Sequence, residues 1–273
     1  MKRVFAVNDM SGIGKCSLTA ALPIISAAGV ECDPIPTAIL STHTGNISGY
    51  TFRDLTSDLD NYSAHWKKIG IIPDTIYSGY LASTEQIGFV GKLISDFARE
   101  DTLVIVDPAM ADSGTLYAGF DASFAGEMKE LCKRADVITP NVTEACILTD
   151  TEYSENISSE LTESLIEKLS VISKNHVILT GVSDKPGKTG CCVFDKSSGV
   201  KRFFSTDRCE GTYYGTGDIF TSILTALMTR GCNVFESAER AVDFTYKAVY
   251  ETFTEGTDTR LGIAFEKFLT DLR

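Results

Sequence analysis

Gly215-Thr216-Gly217-Asp218 runs straight into Ile219-Phe220-Thr221-Ser222-Ile223-Leu224, setting two glycines and a carboxylate where an apolar helix begins. Ile219, Phe220, Ile223, Leu224, Leu227 and Met228 recur at helical spacing and define one buried face. A helix start leaves backbone N–H groups unpaired and carries partial positive charge, so it draws phosphate oxygens. Gly215 and Gly217 lack a Cβ, which lets the chain turn sharply and bring those groups close to a ligand. Asp218 then stands beside the cradle, placed to take a proton from an attacking hydroxyl. A cradle of this kind next to a carboxylate base points to phosphoryl transfer from a nucleotide to an alcohol. The helix end also predicts an ionised Asp218 with a lowered pKa. Simple helix capping explains the same four residues, so the run needs support from elsewhere in the chain.

That support lies at the ends of predicted strands. Strand-like segments fall at Val4–Val7, Pro34–Ile39, Thr75–Ser78, Leu103–Val106, Val137–Ile138, Val177–Leu179, Cys191–Phe194 and Val200–Phe204. Helical patterns lie between them near Cys16–Ala28, Thr84–Arg99, Phe120–Lys133, Thr143–Thr149, Ser159–Lys174, Asp218–Thr229 and Val234–Phe253. Runs such as Leu103-Val104-Ile105-Val106 read as strands buried on both faces, and the alternation predicts a doubly wound, mostly parallel α/β sheet with helices on both sides. The last two strands predict an antiparallel hairpin at one edge. In such sheets ligands gather beyond the carboxyl ends of the strands. Polar clusters follow five of them: Asn8–Gly12, Ser41–Asn46, Gly79-Tyr80, Asp107–Met110 and Thr139–Glu144. No repeat or interdomain linker interrupts residues 1–273, which read as one domain.

Composition narrows the function. The 273 residues are 43% hydrophobic and 23% charged, ordinary for a globular protein. A net charge of −12 argues against nucleic-acid or anionic-membrane partners. No apolar run reaches the roughly 20 residues that span a bilayer, and the N-terminus opens on a strand pattern, which predicts a cytoplasmic protein. The eight cysteines contain no C-x-x-C pair and the three histidines are scattered, so reduced structural thiols are expected.

Two phosphate motifs near the N-terminus fail on inspection. A Walker loop ending at Gly14-Lys15 would need Gly at position 9 and Ser or Thr at 16, where Asp9 and Cys16 stand. A dinucleotide fingerprint from Gly12-Ile13-Gly14 meets Ser17 at its third small position; an NAD-dependent oxidoreductase would leave Gly215–Asp218 unexplained. Asn141 and Glu144, three apart after Pro140, can share Mg²⁺ through water or form a capping box. Asp107 ends a buried strand, where a carboxylate needs a metal or hydrogen bonds to compensate it. His43 can hydrogen-bond a polar ring or serve a structural bond.

With these pieces in order along nearly its whole length, the chain resembles the ribokinase-like superfamily, and within it the vitamin B6 kinases. The resemblance rests on Asn8–Gly14, Ser41–Gly45, Ser78–Ser83, Asp107–Asp112, Thr139–Glu144 and Gly215–Asp218. It implies a kinase that phosphorylates the 5′-hydroxymethyl group of pyridoxal, pyridoxamine or pyridoxine, using ATP and Mg²⁺, with a K⁺ requirement left open. Asp218 would be the base and Gly215, Thr216 and Gly217 the anion hole. Asp107, Thr139, Asn141, Glu144 and Thr180 would surround ATP, with Asp107 and Glu144 near Mg²⁺, held through water. Asp9, His43, Thr44, Gly45 and Tyr80 would border the pyridine ring. Residues 112–120 would form a flap that excludes water, and a homodimer is implied. Asp9 replaces a serine common in pyridoxal kinases, Ala111 a usual glycine, and Ser222 another. Hydroxymethylpyrimidine kinases share most of the motifs and remain the alternative acceptor class, beside a B6-binding protein without turnover.

Overall fold

The computed structural model describes residues Met1–Arg273. Nine strands form one sheet: β1 (Arg3–Ile13), β2 (Glu31–Thr42), β3 (Phe52–Asp54), β4 (Thr75–Ser78), β5 (Leu103–Val106), β8 (Val137–Ile138), β9 (His176–Thr180), β10 (Lys188–Asp195) and β11 (Val200–Asp207). Their order is β11-β10-β9-β8-β5-β4-β1-β2-β3. The six strands from β9 to β2 pair in parallel, whereas β3 and the β10–β11 hairpin pair antiparallel at opposite edges. A separate two-stranded sheet joins β6 (Ala111–Asp112) to β7 (Thr115–Leu116).

Strand period places the core. Phe5 and Val7 enter one apolar cluster, while Val4 and Ala6 enter the other on the opposite face of β1. Val104 and Val106 divide from Ile105 in the same way. Parallel strands with both faces covered must be apolar throughout, hence the continuous runs in β4 and β5. The first face is packed by α2 (Thr56–Lys68), α3 (Thr84–Phe97), α4 (Ala122–Cys132), α5 (Val142–Leu148) and α6 (Ser159–Ile172). The second is packed by α1 (Ser17–Ala27), α7 (Thr216–Thr229) and α8 (Val234–Glu255). No helix is long and apolar enough to cross a membrane.

The doubly wound sheet, its parallel centre and the antiparallel edge hairpin match the expectation. Two readings are corrected. Asn8–Gly12 and Ser41-Thr42 are not loops beyond strand ends: β1 continues to Ile13 and β2 to Thr42, paired with one another after a register shift between Asn8 and Met10. Helix α2 and strand β3 were not expected. Only Leu59 and Ser63 of α2 are buried, so it carries no apolar stripe to read, and all three residues of β3 are exposed.

Candidate active site

A cleft of about 470 Å³ opens at the carboxyl ends of the central strands. Asp107, Thr139, Asn141, Glu144 and Thr180 line it from one side, and Gly215 to Asp218 from the other. Helix α7 supplies the second wall because its N-cap, Gly215, adopts φ +79°, a left-handed conformation. A Cβ there would lie 2.2 Å from the Lys15 carbonyl oxygen, so no other residue fits the approach of this turn to the loop before α1. Gly217 differs: a Cβ on it would meet nothing within 4 Å. The space it leaves open belongs to the cleft. No side chain caps α7, so its first-turn N–H groups are available to an anion.

Asp218 sits half-buried in that first turn. Asn8 donates from Nδ2 to its Oδ1 at 3.4 Å, and the Ser17 backbone N–H points at it from the start of α1. Burial outweighs these donors and pushes its pKa up to about 6, with the nearby Asp9 charge adding to the rise. The shift runs opposite to the lowering expected from the helix end, and burial is its largest cause. Ser17 reaches this position with φ +50°, unusual for a non-glycine residue.

Further along α7, Thr221 ties this wall to the opposite one: it donates to Asp107 Oδ2 at 3.2 Å and lies 3.2 Å from the Thr139 hydroxyl. Asn141 and Glu144 form a full capping box on α5: Asn141 Oδ1 accepts from the Glu144 N–H at 2.9 Å, and Glu144 Oε2 from the Asn141 N–H at 2.8 Å. Glu144 Oε1 also accepts from the Met110 N–H at 3.1 Å, and Asn141 Nδ2 donates to the Ala111 carbonyl at 2.9 Å. The capping box thus also anchors the base of the β6–β7 hairpin, the segment expected as a flap. Its turn is pinned too, by Gly114 N–H to Thr143 Oγ1 at 3.1 Å. Burial, followed by repulsion from neighbouring carboxylates, raises the pKa values of both Asp107 and Glu144. Thr180, beside Asn141 in a bridge, bonds the Pro140 carbonyl. No three His, Cys, Asp or Glu side chains gather closely enough to hold a metal by themselves.

The residues expected around an acceptor ring lie apart from this cleft lining, and their settings vary. Thr44 is exposed. Asp9 is buried, with Ser11 donating to it at 3.1 Å and Ser17 at 2.5 Å, and burial raises its pKa. Its carboxylate is thereby committed to two hydroxyls of its own strand and helix. His43 Nδ1 accepts from the Gly45 N–H at 3.0 Å, which leaves Nε2–H to donate to the Arg260 carbonyl. Tyr80 is half-buried; its ring lies 5.7 Å from Phe120, which stacks on Phe124 at 3.9 Å, linking it to the chain that leaves the flap. Asn8 was not singled out from sequence, yet it joins these groups: its Oδ1 accepts from the Asp9 and Tyr80 N–H groups at 3.0 and 2.9 Å. A Cβ on Gly79 would come within 2.2 Å of its amide. The sequence signal for Asn8 was its place at the head of the polar cluster Asn8–Gly12.

A parallel sheet with this cleft and a glycine-cradled acid at a helix start defines a phosphotransferase of the ribokinase-like superfamily. The chain belongs to the phosphomethylpyrimidine kinase family, whose model matches residues 18–261. It is 38% identical to a provisionally named phosphomethylpyrimidine kinase from Bacteroides thetaiotaomicron, crystallised with pyridoxal (TM-score 0.94; 99% of this chain and 95% of that one). Pyridoxal kinase from Lactobacillus plantarum is 30% identical, with TM-score 0.92 over 100% and 96% of the two chains. The hydroxymethylpyrimidine/phosphomethylpyrimidine kinase of Bacillus subtilis is 30% identical over 186 residues, 68% of this chain and 66% of that protein.

Proposed function

We propose that this chain is an ATP-dependent kinase of the 5′-hydroxymethyl group of pyridoxal, pyridoxamine or pyridoxine, forming the phosphate ester in B6 salvage. Asp218 carries the reading: a half-buried carboxylate with its pKa at about 6, next to an uncapped helix start and an open glycine. Such a group is ionised at pH 7 yet basic enough to take the hydroxymethyl proton. As the acceptor oxygen bonds to the γ-phosphorus, the bond to ADP breaks and the proton passes to Asp218. N–H groups of Gly215, Thr216 and Gly217 would receive the charge on the transferred group. The pyridoxal-bound relative supports the acceptor class.

ATP would run along the cleft past Asp107, Thr139, Asn141, Glu144 and Thr180. The donor set suits Mg²⁺ brought in with phosphate oxygens and water. Both Glu144 oxygens already hold backbone N–H groups, so it would reach the ion through water, and Asp107 takes its Thr221 donor on Oδ2, leaving Oδ1 for the ion. When bound, Mg²⁺ would neutralise phosphate charge, and both raised carboxylates would be relieved by it. Thr44, Gly45, Tyr80 and the Asp9–His43 region would border the ring. Residues 1–273 would act as one domain, in a homodimer, and eight free thiols suit the reducing cytoplasm. K⁺ dependence is a titration to run beside Mg²⁺.

The test is an ADP-release screen against the three B6 vitamers, hydroxymethylpyrimidine and ribose. Saturable, vitamer-dependent release is expected. Similarity to the Bacillus subtilis enzyme favours hydroxymethylpyrimidine as a second reading, and release with that alcohol alone would select it. No release with any alcohol would end the kinase assignment.

A further inference from the structure

Tyr214 immediately precedes the anion cradle and has no role in the scheme above. Its ring stacks on His43, with centroids 5.1 Å apart and planes at 29°. It also lies against Gly45, where a Cβ would come within 2.5 Å of the ring. Tyr214 is half-buried and lines the same cleft as Asp218. His43, in contrast, is 8% exposed and has both ring nitrogens bonded to backbone groups. It has little left to offer a ligand directly. What it can do is hold Tyr214.

Resting on the kinase reading, we propose that Tyr214 is the platform on which a planar heteroaromatic acceptor stacks, with His43 and Gly45 as the residues that position it. Three residues separate Tyr214 from Asp218, which puts the platform at the reacting end of the cleft. Its backbone is fixed on the C-terminal side by Gly215, locked against the Lys15 carbonyl. A flat ring resting on a fixed aromatic surface presents its hydroxymethyl group in one plane; a puckered sugar gains no such contact. A stacked pair of this kind is worth ~3–10-fold in affinity.

The test is steady-state kinetics on the full-length enzyme, varying pyridoxal and ATP separately, with pyridoxine binding followed by its own fluorescence. Tyr214→Leu is expected to raise the KM for pyridoxal about 5–10-fold more than the KM for ATP, and to weaken pyridoxine binding equally. Tyr214→Phe should recover most of that loss. Gly45→Ala, which displaces the ring without removing it, should reproduce the acceptor effect, with thermal melts confirming that each variant is folded. A rise confined to the ATP KM would mean that Tyr214 serves the nucleotide, and unchanged acceptor constants would mean that it serves neither; both overturn the proposal while leaving the kinase reading intact. A wild-type protein that neither binds pyridoxine nor releases ADP with any vitamer overturns both.

Discussion

Asp218→Asn keeps the size of the side chain and deletes its charge, which makes it a test of both catalysis and stability. In the fold the carboxyl is pushed from its ordinary 3.8 up to about 6. The folded state therefore holds the proton more tightly than the unfolded state. Below pH 3.8 the residue costs nothing; as pH rises through about 6 it becomes an ionised group in a poor solvent, and the fold loses that stability. A change of this size is worth ~3 kcal/mol in full. Asp218 is half-buried, so solvent screening leaves about 1–2 kcal/mol. For a chain of this length that corresponds to roughly 2–8 °C in Tm. The variant should melt at nearly the wild-type temperature near pH 4 and above it at higher pH, by a gap that opens as pH rises to about 6 and then stays constant to pH 8. Over the same range its kcat should be lower by about two orders of magnitude or more, the usual loss for a general base. Ligand-free thermal melts between pH 4 and 8, paired with ADP-release kinetics, measure both. A Tm difference that ignores pH, or near-normal turnover of the variant, would refute the assignment of Asp218 as a strained base.

Three other outcomes follow from the geometry. The wild-type pH profile of kcat/KM should fall on its acid side near pH 6, and Asn8→Ala, which removes a donor to Asp218, should move that limb to higher pH; identical limbs in both proteins would count against Asn8 as the positioning residue. Gly215→Ala must place a methyl 2.2 Å from the Lys15 carbonyl at φ +79°, so it should cost about 1–3 kcal/mol in denaturant melts and raise the KM for ATP several-fold. Glu144→Gln leaves one of two backbone N–H donors, from Asn141 or Met110, facing an amide NH₂ instead of a carboxylate oxygen. It should destabilise the fold by about 1–3 kcal/mol and raise the Mg²⁺ concentration needed for half-maximal rate, checked by a metal titration.

Much of the architecture was legible because parallel strands buried on both faces must be apolar. Thr75–Ser78, Leu103–Val106 and Val137–Ile138 are strands with the bounds their composition predicts. Legibility failed where polar side chains bond one another inside a strand: Asp9 and Ser11 interrupt the apolar pattern of β1, Ser11 donating to Asp9, and so the strand reads as a loop. It failed for α2 because a helix with two buried residues has no stripe. Asp107, Thr139, Asn141, Glu144 and Thr180 line one cleft with Gly215 to Asp218. The surroundings of His43 were less readable because its contacts are long-range: it meets Arg260 217 positions away, and its partner Tyr214 is 171 positions on. The sign of the Asp218 shift was missed for a related reason. A helix dipole can be inferred from local sequence, whereas burial depends on what packs above it.

The topology also dictates when this protein becomes whole during synthesis. Strand β1 lies inside the sheet and α1 packs on Val4 and Ala6 soon after them, yet the helix that brings Asp218 to Asn8 emerges 210 residues later. A nascent chain can therefore cover its first strand early, through α1, while the cleft wall that carries Asp218 arrives only near the end of translation. Until α7 docks, the cleft lacks the whole wall formed by Gly215 to Asp218.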